Sequence, residues 1–166
     1  AGFVNKKEVY EKLKEDELYE NDFSEKQVKE IDGFVEEFIK SEMVSDIVIN
    51  LVACKLREPF IDFDFNGLSI ERVNILINNE LVTVTEEVYK ALKNSHFGMH
   101  ITLVESNINK FINTKIECFD TKDLVLVIES QKITNVDKFK ILQEYSENIK
   151  IDESIAALIF NSIEDI

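Results

Sequence analysis

The sequence predicts an all-α protein, a stacked helical-repeat (solenoid-like) array of about nine short helices with three helices per unit. Three observations support this class. Glycine (4) and proline (1) are scarce among the 166 residues, which favours helices joined by short connections. Apolar residues recur at helical spacing along most of the chain. The pattern of residues 72–112 then returns 51 positions later, and repetition of a helical unit is typical of stacked arrays.

The repeat combines apolar positions with helix start signals in one register. Ser69 and Asp120 each precede the first helix of a unit, where a short side-chain oxygen can accept a free backbone N–H. Two pairs have the spacing of a capping box, namely Thr83 with Glu86 and Thr134 with Asp137. The matched apolar pairs are Val73/Leu124, Leu76/Val127, Ile77/Ile128, Val82/Ile133, Val88/Phe139, Ala91/Leu142, Val104/Ile155, Ile108/Ile159 and Ile112/Ile163.

The helices of these two units are predicted near residues 69–80, 84–95, 98–113, 120–131, 135–147 and 152–164. The first third of the chain is interpreted as a diverged copy, with a polar helix at 6–20, a second helix from Ser24 to about residue 42 that runs through Gly33, and a third opened by Ser41 or Ser45. We therefore predict a single helical domain over residues 1–166, with units near 1–60, 66–113 and 117–166. The apolar C-terminal helix suggests a fragment of a longer protein, because its outer face needs a further repeat to cover it.

An aromatic linker, FIDFDFNGL, joins the first unit to the second. Its Phe and Ile residues alternate with aspartates as in a strand, but the segment is short and has no partner strand, so we expect an extended connector that buries aromatic side chains. Several asparagines near helix ends can hydrogen-bond a peptide or simply face water. The candidate interaction surface consists of Phe60, Phe63, Phe65, Asn78, Asn79 and Asn107.

Composition limits the partners and the location. The net charge of −14 disfavours nucleic acid, and the dispersed lysines form no basic patch. No apolar run has the length of a membrane span, and no signal peptide is visible. We predict a cytoplasmic protein without direct membrane contact. Its expected partner is protein, either other repeats or domains of the same parent chain or a separate protein.

The sequence contains no convincing catalytic motif, so we predict no enzyme activity, no cofactor and no metal site. His96 and His100 have the spacing of two zinc ligands on one helical face, but Phe97 replaces the glutamate that such enzymes use as a base. The calcium-loop-like segment that begins at Asp62 has Val73 where the loop needs its bidentate glutamate. Cys54 is expected to pack as a small apolar residue. The alternative is a metal-dependent enzyme that uses His96, His100 and nearby carboxylates.

Residues 77–112 resemble repeats in the C-terminal part of large bacterial P-loop NTPases of the YobI-like kind. The matching pieces are Ile77-Asn78-Asn79, Tyr89, His100, Asn107-Ile108 and Phe111-Ile112. Phe111 follows Asn107 here, whereas it precedes the asparagine in those repeats. The resemblance implies an intracellular helical-repeat region attached to an ATPase that lies elsewhere. The nucleotide-binding motifs of that family are absent from this chain, so the resemblance carries over no catalytic residue.

Overall fold

The computed structural model describes Tyr10 and residues 25–163. Within these residues the chain forms ten α helices and no strand, which confirms the predicted all-α class. The predicted helix at residues 6–20 lies outside the described residues, apart from Tyr10. The helices are α1 (Glu25–Asp32), α2 (Val35–Lys40), α3 (Asp46–Ala53), α4 (Ile70–Asn78), α5 (Glu86–Ser95), α6 (Met99–Ser106), α7 (Ile108–Thr114), α8 (Thr121–Glu129), α9 (Asn135–Glu144) and α10 (Glu153–Ile163), with one 3-10 turn at Ser146–Asn148.

The chain divides into two compact units, Ala1–Val82 and Thr83–Ile166, called here the N-terminal unit and the C-terminal unit. Helices α1 to α4 belong to the N-terminal unit, and α5 to α10 belong to the C-terminal unit. The predicted units near 1–60, 66–113 and 117–166 stay a prediction.

Two predicted helices are interrupted. The helix expected from Ser24 to about residue 42 ends at Asp32 and restarts at Val35, so the prediction that it continues through Gly33 is wrong. The helix expected at 98–113 breaks at Asn107, which ends α6 and begins α7. The Asn107 side-chain amide donates to the carbonyl of Leu103 at 2.9 Å and so satisfies a carbonyl that the broken helix leaves free.

Three of the predicted helix starts are confirmed by side-chain caps. Ser69 Oγ accepts the N–H of Arg72 at 3.2 Å, and Thr134 Oγ1 accepts that of Asp137 at the same distance. Asp120 forms a complete capping box, because its carboxylate accepts from Asp123 while the Asp123 carboxylate accepts from the Asp120 backbone. The first and the last residue of α8 each lie 51 positions after the first and the last residue of α4.

The predicted capping box of Thr83 and Glu86 is wrong. Helix α5 begins one residue after Thr85, whose Oγ1 accepts the N–H of Val88 at 3.1 Å. The Glu86 carboxylate accepts instead from the backbone N–H groups of Glu117 and Cys118. The caps of α5 and α9 are therefore 49 positions apart, so the register of 51 does not extend to this helix.

The apolar pairs matched across the repeat differ in burial. Three pairs on α4 and α8, and a fourth in the segments that follow these helices, are buried at both positions: Val73/Leu124, Leu76/Val127, Ile77/Ile128 and Val82/Ile133. The later pairs are less consistent, since Val88 is half-buried whereas Phe139 is 41% exposed. An aromatic cluster fills the C-terminal unit, with Phe111 stacked on Tyr145 at 4.7 Å and tilted against Tyr89 at 5.8 Å between ring centroids.

Each unit contains two neighbouring helices that point in the same direction. In the N-terminal unit, Arg72 near the start of α4 bonds Asp46 at the start of α3, while Asn79 after α4 bonds Asn50 further along α3. In the C-terminal unit the equivalent contacts join α6 to α8. They run from His100 to Asp123 at one end and from Glu105 to Ser130 at the other. Contacts in the same order along both helices require parallel directions.

Replacing Thr85 by alanine should destabilise the protein by about 1 kcal/mol, because the N–H of Val88 loses its acceptor. Thr83→Ala is the control, since the sequence alone favours Thr83 as the cap. Urea unfolding followed by circular dichroism measures both variants. A larger loss for Thr83→Ala than for Thr85→Ala would contradict the observed cap.

Candidate functional site

The aromatic residues of the predicted interaction surface form a connected cluster in the N-terminal unit. Phe65 is buried with 3% of its surface exposed, and Phe60 and Phe63 are half-buried. The Phe63 ring lies 5.2 Å from that of Phe60 and 5.1 Å from that of Phe65. The Lys40 ammonium lies 5.4 Å from the centre of the Phe63 ring. The three rings therefore pack against one another within the linker. Of the three, only Phe60 and Phe63 are partly accessible to solvent.

The three predicted asparagines lie at helix ends. The side-chain amides of Asn79 and Asn107 donate hydrogen bonds to oxygen atoms within the protein. Asn79 follows α4 and donates to the Ile75 carbonyl at 2.8 Å and to Asn50 Oδ1 at 3.1 Å. Asn107 separates α6 from α7, and Asn78 is exposed at the last position of α4. Asn107 belongs to the C-terminal unit, whereas the other predicted surface residues belong to the N-terminal unit. A role of these residues in binding stays a prediction.

The two histidines belong to different structural elements. His96 follows α5, and Gly98, with a φ of +77° that suits glycine, precedes α6, which contains His100. His96 Nδ1 lies 2.6 Å from Ser95 Oγ, whereas His100 Nε2 lies 3.0 Å from Asp123 Oδ1. The spacing of four therefore does not correspond to one helical face. Among residues 25–163, no three His, Cys, Asp or Glu side chains are grouped as metal ligands.

Asp123, which is not among the predicted site residues, is the centre of a buried polar cluster in the C-terminal unit. Its side chain is 2% exposed, although it occupies the third position of α8. Tyr89 Oη donates to Oδ2 at 2.8 Å, Lys93 Nζ donates to Oδ2 at 2.9 Å, and His100 Nε2 bonds Oδ1. Tyr89 and Lys93 lie on α5 and His100 on α6, so one carboxylate joins three helices.

Hydrogen bonds determine the charge state of this cluster. Burial raises the pKa of Asp123, but donation from His100, Lys93 and Tyr89 outweighs burial, and the pKa lies below its ordinary value. Burial lowers the pKa of Lys93, yet bonds to Asp120 and Asp123 raise it overall. Burial and the Asp123 charge raise the pKa of Tyr89 far above its usual range. At neutral pH the cluster is an ionised carboxylate held by a lysine ammonium and a neutral phenol.

The cluster resembles a catalytic dyad in its parts but not in its accessibility. His100 bonds Asp123 through Nε2, and within the described residues its Nδ1 atom is buried without a hydrogen-bond partner. A general base must come within hydrogen-bond distance of a substrate proton, which a fully buried nitrogen cannot do in this conformation. The arrangement thus favours a structural role.

The surroundings of Cys118 are not those of a nucleophile, and Cys54 differs from its predicted placement. Burial and the nearby Glu86 carboxylate raise the pKa of Cys118 to about 12, which keeps it a protonated thiol at neutral pH. Cys54 was expected on the apolar face of its helix, but it is exposed after the end of α3 and its Sγ lies 3.1 Å from the Leu51 carbonyl. The prediction of a buried thiol at Cys54 is therefore wrong.

A counterpart of Asp123 occurs in the N-terminal unit 51 positions earlier. Arg72 occupies the third position of α4, and its guanidinium donates to the carbonyls of Ile39 and Ser41 at 2.7 Å and also to that of Val44. Its Nε atom bonds the Asp46 carboxylate at 2.9 Å. A charged third residue thus attaches α4 to the α2–α3 turn and α8 to the α5–α6 pair, so we call α4 and α8 the closing helices.

The linker before each closing helix is held by a first-turn glutamate of an earlier helix. Glu36 of α2 accepts the N–H of Asp64 at 2.9 Å, and Glu86 of α5 accepts the N–H groups of Glu117 and Cys118 at 2.5 and 3.2 Å. A lysine of the same helix assists in both cases. Lys40 pairs with Glu36 and Asp64, and Lys93 donates to the Cys118 carbonyl. Side chains thereby satisfy backbone groups that an extended linker leaves open.

The charged third residues could have been found from the sequence. Arg72 and Asp123 are 51 positions apart and directly precede the matched pair Val73/Leu124. A charged residue in the first turn of a helix is normally solvated or interacts with the helix dipole, so the signal is the shared register of the two positions and not their charge. Arg72 and Asp123 have opposite charges, so a comparison of residue types between the two repeats does not match them.

Comparisons with known proteins give one distant similarity. No protein-family model matches the chain. No solved structure matches it either. The chain is 27% identical over 150 residues to a Bacillus subtilis (strain 168) protein called uncharacterized membrane protein YobI. The aligned part covers 90% of this chain but spans only 12% of YobI.

This similarity confirms the predicted resemblance to YobI-like proteins as a distant relationship, and it gives no support for a P-loop NTPase parent. The relative is called a membrane protein, so the predicted cytoplasmic location is not confirmed. In the part of the chain that the structure describes, no helix combines the length and the apolar character needed to cross a membrane.

Replacing Asp123 by asparagine should destabilise the C-terminal unit by about 3 kcal/mol, because Lys93 and His100 lose the charge that holds them. Glu129→Gln on the same helix is the matched control, since Glu129 is exposed. Native-state hydrogen exchange of the α5, α6 and α8 amides measures the effect. Equal exchange rates in the two variants would contradict the structural role of Asp123.

The stabilising effect of Asp123 should decrease in acid. Because its folded pKa is depressed, the stabilisation is fully present above the unfolded carboxyl pKa of about 3.9 and is lost as the pH falls towards the folded value. The unfolding free energies of wild type and Asp123→Asn should therefore converge as the pH falls from about 5 through the unfolded carboxyl pKa of about 3.9. The other carboxylates titrate in both proteins and cancel. A difference that stays constant over this range would contradict the assignment.

Proposed function

We propose that the chain is a non-enzymatic helical-repeat scaffold, a protein-interaction region of a larger bacterial protein. The observation that carries the proposal is the pair of closing helices. Each is attached by a charged third residue, Arg72 or Asp123, and each follows a linker held by a first-turn glutamate, Glu36 or Glu86. These contacts fix helices to one another, and both Asp123 and His100 are buried by them.

The contacts favour a particular division of the repeat. One copy extends from α2 through the closing helix α4 to the buried Val82, and the next extends from α5 through the closing helix α8 to the buried Ile133. The boundary between the two compact units, at Val82 and Thr83, falls between these copies. Helices α9 and α10 then begin a third copy. This division differs from the predicted units, which begin at the closing helices near residues 66 and 117.

Stacked repeats are stabilised by contacts within a repeat and between neighbours, and they usually present a surface to a protein partner. The net charge of −14 supports a protein partner over a nucleic acid. The resemblance to YobI-like proteins adds an ATPase elsewhere in a parent chain and an intracellular location, and both stay proposals. Fold alone assigns no reaction, so the absence of enzyme activity is equally part of this proposal.

Truncation tests the repeat. A chain of residues 1–82, which ends after the first closing helix, should unfold cooperatively in urea. A chain of residues 1–66 should not, because it lacks Arg72 and the helix that covers α3. If both chains fold, or neither does, the proposed division is wrong.

Metal analysis separates the scaffold from the alternative enzyme. The purified chain should contain far less than one equivalent of zinc, iron or manganese, and its content should not change in His96→Ala or His100→Ala, because the two rings bond different residues. One equivalent of metal that is lost in both variants would instead support the metal-dependent enzyme.

A further inference from the structure

The calcium-loop-like segment contains the pair Asn66-Gly67, shortly before the first closing helix α4. Asn66 is the sole asparagine in the sequence that is followed by a glycine. Both residues are exposed. Gly67 has a φ of +80°, and a Cβ atom at this position would meet no other atom within 4 Å. The space around Gly67 is therefore open.

The backbone N–H groups of this turn differ in their hydrogen bonds. The N–H of Asn66 donates to Asp64 Oδ1 at 3.0 Å, and the N–H of Leu68 donates to the Phe65 carbonyl at 3.2 Å. The N–H of Gly67 lies between them in the sequence and has no acceptor within the described part of the chain. The Gly67 nitrogen is thus neither held nor shielded by a hydrogen bond.

An exposed asparagine followed by glycine can react with the main chain, because glycine has no side chain to hinder the attack. The Gly67 nitrogen attacks the Asn66 Cγ atom, so an N–Cγ bond forms and the Cγ–Nδ2 bond breaks. The side-chain nitrogen leaves as ammonia with the proton of the Gly67 N–H group, and a cyclic succinimide remains. Water then opens the ring. Cleavage at Cγ gives aspartate, whereas cleavage at the main-chain carbonyl gives isoaspartate, in which the main chain runs through Cβ and Cγ.

Isoaspartate would lengthen the main chain between two buried side chains. Phe65 is 3% exposed and packs against Phe63, and Leu68 is 5% exposed. Directly after them, Ser69 Oγ accepts the N–H of Arg72 and caps the closing helix. Protein interiors are packed so closely that one methylene group matters. A longer turn therefore cannot keep Phe65, Leu68 and the cap in their places together.

We propose that Asn66 is a site of spontaneous modification, at which ring closure onto Gly67 yields isoaspartate and loosens the first closing helix. Water is the co-reactant, and no enzyme or cofactor takes part. Arg72 of that helix holds the carbonyls of Ile39 and Ser41, so a loosened helix also weakens the attachment of the α2–α3 turn. The modification limits the lifetime of the N-terminal unit. It depends on the turn alone, whether or not the helices form a repeat.

Asn78 is the matched control for the reaction. It is also exposed, but Asn79 follows it with a side chain, and the Asn79 N–H donates to the Ile75 carbonyl at 3.1 Å. The full chain is incubated in mildly alkaline buffer, and peptide mass spectrometry follows the replacement of NH2 by OH at each asparagine. We expect Asn66 to deamidate at least about tenfold faster than Asn78. Asn66→Gln should remove this fast reaction, because the longer side chain closes its ring far more slowly. Equal rates at Asn66 and Asn78 would overturn the proposal.

Hydrogen exchange of the α4 amides measures the consequence. In the incubated protein, a fraction of the α4 peptides should exchange about tenfold faster than the rest. This fraction should equal the isoaspartate content that labelling by an isoaspartyl methyltransferase gives. Asn66→Asp is the matched variant, because it has the charge of the product without the longer main chain, and its α4 should exchange like that of the wild type. A single exchanging population in the incubated protein, or equally fast exchange in Asn66→Asp, would contradict the loosening by isoaspartate.

Discussion

The buried carboxylate of Asp123 is the interaction on which the C-terminal unit depends. It receives Tyr89 and Lys93 from α5 and His100 from α6, so three helices share a single anion. Burying that charge is costly, and it is tolerated because every donor is in place. A partly satisfied cluster would be worse than an apolar core, which makes the arrangement highly specific for one packing of these helices. Arg72 achieves the same result in the N-terminal unit with the opposite charge, by donating to the backbone carbonyls of Ile39, Ser41 and Val44.

The sequence predicted the elements whose formation depends on neighbouring residues. Helices α4 and α8 follow from a polar cap and an apolar stripe, and their bounds lie within two residues of those expected. Where two neighbouring residues could both begin a helix, the sequence did not predict which of them does so. Thr83 and Thr85 both precede an acidic first turn, and Thr85 is the cap in the structure. Likewise, Asn107 breaks a continuous apolar pattern through a side-chain bond to Leu103 that the sequence does not reveal.

The candidate site was harder to predict than the fold. The aromatic residues of the linker and the asparagines at helix ends were predicted to form an interaction surface. In the structure, Phe65 is buried and the Asn79 amide donates to the Ile75 carbonyl, so both contribute to packing within the protein. The residues that organise the units are charged, and charged residues are mostly solvated in proteins. Their burial arises from contacts between positions about 30 apart in sequence, such as Lys93 with Asp123. A scaffold is consistent with this design, because the buried polar groups are used to fix helices to one another.

The most direct test of the account is a double-mutant cycle between Lys93 and Asp123. Unfolding free energies of wild type, Lys93→Met, Asp123→Asn and the double variant give the coupling between the two side chains. If a closing helix is held by its charged third residue, the coupling should reach at least about 1 kcal/mol, because the second substitution removes a partner that the first has already left unpaired. Additive effects, within about 0.5 kcal/mol, would mean that the two groups act independently and that apolar packing alone holds α8 in place.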